Sequence, residues 1–125
     1  MKLTTTGRVQ CAEFPTVVHF DPARADILVF EFHTTPRGAD WAIGRDLLAD
    51  GLTKPAGEMD VRIWPSPETD EVAVELESPS GHAIIRLPWQ ALAGFVRRTY
   101  DAVPNGTEYD GLDWDQLLTA AGGAA

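Results

Sequence analysis

The sequence has few of the residues from which catalytic and metal-binding sites are usually built. It contains one cysteine, Cys11, and three histidines, His19, His33 and His82, among 125 residues. One cysteine excludes an intramolecular disulfide and a thiolate-rich zinc centre. The histidines do not form an HExxH pattern, and neither a GxSxG elbow nor a glycine-rich phosphate loop occurs. We therefore expect no enzyme, no cofactor, no metal site and no small-molecule substrate.

Basic residues are also scarce. Ten lysines and arginines stand against nineteen acidic residues, which gives a net charge of −9. Proteins that bind nucleic acids draw much of their affinity from lysines and arginines that neutralise phosphates. The only adjacent basic pair is Arg97 and Arg98. The charge therefore argues against a nucleic-acid partner and suits solubility or a basic patch on a partner protein.

Long apolar runs are absent as well. No stretch is long enough to span a membrane, and the N-terminus has no basic segment followed by an apolar one, as signal peptides have. A chain of this length buries a single core. We expect one domain over residues 1–120, a frayed tail over 121–125, and a cytoplasmic location.

The first half of the chain alternates in the manner typical of β-strands. Strands are predicted over residues 2–11, 14–20, 26–33 and 41–45. In the third strand, the face that carries Leu28, Phe30 and Phe32 is expected to be the more deeply buried one.

A hairpin is the clearest pattern in the second half. Residues 71–77 alternate strictly between apolar residues and a second set rich in glutamate, and the chain returns along 82–87 after a Ser-Pro-Ser-Gly turn. A loop of two residues and one of four give the same register. Val72 should therefore face Leu87, and Glu77 should face His82.

The remaining segments predict helices, so the fold class is α+β with antiparallel sheets and covering helices. After Pro88, an apolar face at helical spacing comprises Leu92, Phe95, Val96, Thr99 and Val103. A short C-terminal helix is predicted to begin at Asp113.

The stretch 44–67, GRDLLADGLTKPAGEMDVRIWPSP, combines a helical turn, a loop and a strand. Asp46 is predicted to cap the short helix, and Gly51 to take the left-handed position after it. A strand follows over residues 61–64, and Pro65 and Pro67, neither of which can donate to a ladder, are predicted to end it.

The segments RDLLADGL, DVRIWPS, SPSGHA and TYDAVPNGTE, in this order, resemble the signature of the SsgA-like proteins, regulators of sporulation and cell division in actinomycetes. The resemblance covers the chain from about residue 15 onward. Family members usually carry glycine just before the aspartate of the DVR strand, where this chain has Met59, so we expect a divergent paralogue. The resemblance implies a Whirly-like fold, expected here as ββββα-βββα with a short C-terminal helix.

The function that the resemblance implies is that of a non-enzymatic regulator or adaptor of sporulation-specific cell division. Such a protein acts through protein contacts in septum-site placement and associated cell-wall remodelling. Its implied partners are the tubulin-like division protein FtsZ or another SsgA-like protein, and it is implied to be a homo-oligomer, a trimer being one form, recruited to the septum. The alternative is a Whirly-like protein that binds single-stranded nucleic acid by aromatic stacking, which the net charge disfavours.

Tryptophan and arginine are the best candidates for interface residues, because both are enriched at binding hot spots. Trp64 shares a strand face with Arg62, away from the apolar residues of that strand. An exposed interface position and a core position both remain open for Trp64, whereas Trp41 and Trp89 are predicted to lie in the core or at its edge. Arg45, Arg62 and Trp64 form the predicted protein-interaction set.

Overall fold

Eight strands and two α-helices form the part of the chain that the computed structural model describes, residues 1–104. The strands are β1 (Lys2–Val9), β2 (Ala12–His19), β3 (Ile27–Phe32), β4 (Ala39–Gly44), β5 (Ala56–Glu58), β6 (Val61–Ser66), β7 (Glu71–Ser78) and β8 (Gly81–Pro88). The helices are α1 (Arg45–Gly51) and α2 (Trp89–Ala102). The α+β class is as predicted, while the helix at Asp113 and the tail over 121–125 lie outside the described residues.

All eight strands belong to one antiparallel sheet in the order β4-β3-β2-β1-β8-β7-β6-β5. Each half of the chain is therefore a four-stranded meander followed by a helix, and β1 and β8 join the halves. The predicted ββββα-βββα order lacked one strand, β5. This strand has only three residues, Ala56–Glu58, directly after Pro55, which is too short to produce an alternating pattern.

The β7–β8 hairpin has the predicted register. Val72 pairs with Leu87, and Glu77 pairs with His82, across a two-residue loop. By contrast, Pro65 does not end β6, because it pairs with Val72 and the strand continues to Ser66. Strand β5 reaches only as far as Ile63 along β6, so Pro65 lies where one side of β6 is an edge, a position that tolerates proline.

The core lies between one face of the sheet and the two helices. The predicted face of β3 is buried, with Leu28 and Phe30 at 0% exposure. The predicted face of α2 is buried too, through Leu92, Phe95, Val96 and Thr99. Trp41 and Trp89 are partly buried and pack against the core, as predicted.

Helix α1 begins and ends differently from the prediction. The N-cap residue is Gly44, so no side chain caps the helix. Asp46, which was predicted to be the cap, accepts a hydrogen bond of 2.6 Å from the hydroxyl of Tyr100. Gly51 is the last helical residue and has no left-handed conformation. A Cβ atom there would lie 2.3 Å from Cγ2 of Ile63, so glycine allows α1 to approach β6 closely.

Candidate protein-interaction surface

The sheet face opposite the core is not covered by α1 or α2, because the buried residues of both helices belong to the core side. Strand pairing places the side chains of β1, β6, β7 and β8 that point away from the core next to one another. We call this surface the outer face. Its residues are Thr4, Thr6, Arg8, Arg62, Trp64, Ser66, Glu71, Ala73, Glu75, Glu77, His82, Ile84 and Arg86.

A row of four residues crosses the middle of the outer face. Trp64 pairs with Ala73, Ala73 pairs with Arg86, and Arg86 pairs with Arg8. Ala73 is 0% exposed although no helix lies over it, as expected for a small residue between two large side chains. Trp64 is half-buried and Arg62, two residues before it, is exposed. Trp64 thus lies on the outer face and not in the core.

Charged groups on the outer face are held by specific partners. The Arg8 guanidinium donates to Oε1 of Glu71 at 2.6 Å, and Arg86 donates to Oγ of Ser66 at 3.0 Å. Burial alone would raise the pKa of the Glu71 carboxyl, but hydrogen bonds from Arg8 and Thr69 and the charges of Arg8 and Arg86 outweigh it, so the pKa is lowered. These contacts fix the arginine side chains on the sheet.

Arg62 differs from these arginines. It pairs in register with Glu75, yet within residues 1–104 it makes no ion pair. Its side chain is exposed, so the guanidinium can reach a carboxylate or an aromatic group of another molecule.

Arg45, the third residue of the predicted interaction set, lies elsewhere. It is 1% exposed, and its Nη1 donates to the carbonyl oxygen of Thr99 at 3.0 Å. Its guanidinium lies 3.9 Å from the ring centroid of Tyr100 and 5.4 Å from that of Phe20. Arg45 joins the start of α1 to α2 inside the fold, which does not fit a place on an interaction surface.

A cleft that sequence reasoning missed adjoins the outer face through Ser66 and Glu71. Its volume is about 430 Å³. Its lining consists of Leu52, Thr53, Pro65, Ser66, Pro67, Asp70, Glu71 and Trp89. The indole of Trp89 donates to the carbonyl oxygen of Leu52 at 2.8 Å, which ties α2 to the end of α1. The lining residues come from three separate segments of the chain, so no local pattern predicts the cleft. The proline-rich WPSP run is the part of the lining that stands out in the sequence.

Comparison with known proteins places the chain in a family. Residues 14–108 match the family described as Streptomyces sporulation and cell division protein, SsgA. The chain belongs to the SsgA family. It is 41% identical over 108 residues to the sporulation-specific cell division protein SsgB of Streptomyces coelicolor, covering 84% of this chain and 79% of that protein. SsgB of Frankia casuarinae is 41% identical over 107 residues, covering 81% and 73%.

Solved structures of SsgA-family proteins have the same fold. An SsgB structure from work on longitudinal cell division during sporulation of Streptomyces coelicolor superposes with a TM-score of 0.81 at 34% identity, covering 88% of this chain and 94% of that one. The SsgA-like sporulation-specific cell division protein of Thermobifida fusca has a TM-score of 0.82 at 25% identity, covering 97% and 94%. The names of these relatives support a role in sporulation cell division. Within residues 1–104, neither helix has the length and apolarity needed to cross a membrane.

Met59, just before the aspartate of the DVR segment, lies in a backbone conformation that few residues other than glycine adopt. Its φ angle is 51°, in the left-handed region, and the side chain is 92% exposed at the turn between β5 and β6. Glycine adopts this conformation at little cost, whereas a residue with a Cβ atom is strained there. The backbone at residue 59 therefore suits glycine better than methionine.

Proposed function

We propose that this SsgA-family protein is a non-enzymatic adaptor of sporulation-specific cell division that binds a partner protein through its outer face. The observation that carries the proposal is the position of Trp64 beside the exposed Arg62, on a sheet face that neither helix covers. The names of the relatives, sporulation-specific cell division proteins, support the process in which it acts.

The outer face has the physical features of a docking surface. Trp64 is half-buried and offers a large aromatic surface with only two rotatable side-chain bonds, so binding costs it little side-chain entropy. Arg62 can form bidentate hydrogen bonds with a carboxylate. The ion pair of Arg8 with Glu71 and the hydrogen bond between Glu75 and His82 surround these residues with fixed polar groups, as the rim of an interface does.

The partners that we propose are FtsZ or another SsgA-like protein, contacted from the cytoplasm at the division septum during septum-site placement and wall remodelling. We also propose a homo-oligomer, because β4 and β5 leave both edges of the sheet open in the described part of the chain. Single-stranded nucleic acid is a poorer occupant, since Glu71, Glu75 and Glu77 share the outer face with its arginines.

Binding measurements with purified partners test the adaptor role. The double variant Arg62→Ala, Trp64→Ala should bind immobilised FtsZ or an SsgA-like partner at least about tenfold more weakly than the wild type, because it removes two hot-spot side chains. Arg97→Ala is the matched control, since it removes an exposed arginine from α2, away from the outer face. Unchanged affinity of the double variant would contradict the proposal.

Stability and localisation complete this test. The unfolding midpoint of the double variant should stay near that of the wild type, and a large loss would instead assign both residues a structural role. A fluorescent fusion should form ladders that coincide with or precede division rings in sporulating hyphae. A diffuse or nucleoid-associated signal, with tight and salt-sensitive binding of single-stranded DNA, would favour the nucleic-acid alternative.

A further inference from the structure

Three side chains able to bind a metal converge at the hairpin end of the outer face. They are Glu75, Glu77 and His82, and one ligand atom of each lies within 4.8 Å of the others. Glu77 pairs with His82 in the β7–β8 ladder, and Glu75 lies two residues before Glu77, on the same face. The hairpin register therefore sets the spacing of the three ligands.

The electrostatic surroundings leave these carboxylates without a basic partner other than histidine. Nε2 of His82 lies 2.6 Å from Oε2 of Glu75. Within the described range, Glu75 and Glu77 make no ion pair with a lysine or an arginine, whereas Glu71 on the same strand is paired with Arg8. Arg62 is the nearest cation in the register, opposite Glu75. Two neighbouring carboxylates repel each other, and a divalent cation between them would remove that repulsion.

We infer that Glu75, Glu77 and His82 bind a divalent transition-metal ion, with Zn²⁺ as the ion that fits best. Zinc binds both imidazole nitrogen and carboxylate oxygen, and three protein ligands leave a fourth position for water or a partner's side chain. Calcium requires six to eight oxygen ligands, and this exposed trio does not supply them. The inference is independent of the docking proposal and departs from the expectation of no metal site, which rested on the absence of spacing motifs.

The other two histidines provide an internal comparison. Glu31 lies between them, with Oε2 at 2.8 Å from Nε2 of His19 and Oε1 at 3.2 Å from Nε2 of His33. Each imidazole thus contacts a different oxygen of one carboxylate. The residue types are similar, but in the described part of the chain only the hairpin group has three ligand atoms that all lie within 4.8 Å of one another.

Titration of the full chain with Zn²⁺ tests the inference. Calorimetry should show one saturable site per chain, and only the imidazole NMR signals of His82 should shift. Mg²⁺ and Ca²⁺ should produce neither effect.

Reciprocal variants assign the site. His82→Ala should lose saturable binding, as should the double variant Glu75→Gln, Glu77→Gln, while His19→Ala, His33→Ala should bind Zn²⁺ as the wild type does. Loss of binding in the His19, His33 variant with retention in His82→Ala would overturn the inference. So would a wild-type spectrum in which His82 does not respond to Zn²⁺, a result that does not depend on the folding of any variant.

Discussion

Two regions of the molecule use arginine, acidic and aromatic side chains in opposite ways. One is the junction between α1 and α2, and the other is the outer face of the sheet. At the helix junction, formed by Arg45, Asp46, Thr99 and Tyr100, the guanidinium is 1% exposed and lies against an aromatic ring. On the outer face, Arg62 is exposed beside the half-buried Trp64. The same residue types therefore stabilise the fold where water is excluded and remain available for binding where it is not.

Burial explains why one guanidinium contributes to stability more than another. A buried hydrogen bond that loses its donor leaves a desolvated acceptor, whereas an exposed group exchanges its partner for water. Surface ion pairs are also weakened by solvent and by the entropy of their side chains. The two regions should therefore respond very differently to equivalent substitutions.

Replacing Arg45 should have the largest effect. Arg45→Ala should lower the free energy of unfolding by about 3 kcal/mol or more, because the Thr99 carbonyl loses a buried donor and a cavity opens beside Tyr100. Arg62→Ala should change it by less than about 0.5 kcal/mol. Urea denaturation followed by circular dichroism measures both, and similar losses for the two variants would remove the distinction between the regions.

Alanine substitutions at two helical glycines should change the stability by an intermediate amount and in opposite directions. Gly51→Ala should destabilise the protein by about 1–3 kcal/mol, because the new Cβ would overlap Ile63. Gly94→Ala should stabilise it by about 0.5–1 kcal/mol, because alanine favours helix and its Cβ would meet only Nη1 of Arg98, at 3.7 Å. Thermal unfolding of both variants separates the packing contribution from the common helix propensity. A stabilising Gly51→Ala would show that α1 can move away from β6.

The sequence predicted the parts of the fold that depend on local periodicity. The β7–β8 register and the buried face of α2 follow from alternation and helical spacing, and both are present in the structure. Asp46 was predicted as a cap because local rules cannot show that Tyr100 would donate to it from 54 residues away. Arg45 was misplaced for the same reason, since α2 buries it.

The outer face could be predicted only in part. Alternation on β6 placed Trp64 beside Arg62, but the row that continues through Ala73, Arg86 and Arg8 depends on how the two halves of the sheet join. The ion pair of Arg8 with Glu71 spans that join, between residues 63 positions apart. Pairing of this kind is set by the complete sheet and has no local pattern.

The ion pair of Arg8 with Glu71 should have the smallest effect, and this effect should depend on pH. The pKa of Glu71 is lowered from 4.5 in the folded protein, so the unfolded chain binds the proton more readily. The stabilisation is therefore complete above the unfolded pKa and is lost as the pH falls through the folded one. It should amount to less than about 1 kcal/mol, because Arg8 and Glu71 are 32% and 18% exposed.

Unfolding measurements on Glu71→Gln across the acidic range check this expectation. The difference from the wild type should be constant above the usual glutamate pKa of 4.5 and should shrink below it. If the Glu71→Gln difference failed to change with pH, Glu71 would contribute through packing and a neutral hydrogen bond. The contrast between a buried cation that holds the helices together and a surface charge that responds to solvent would then not extend to this pair.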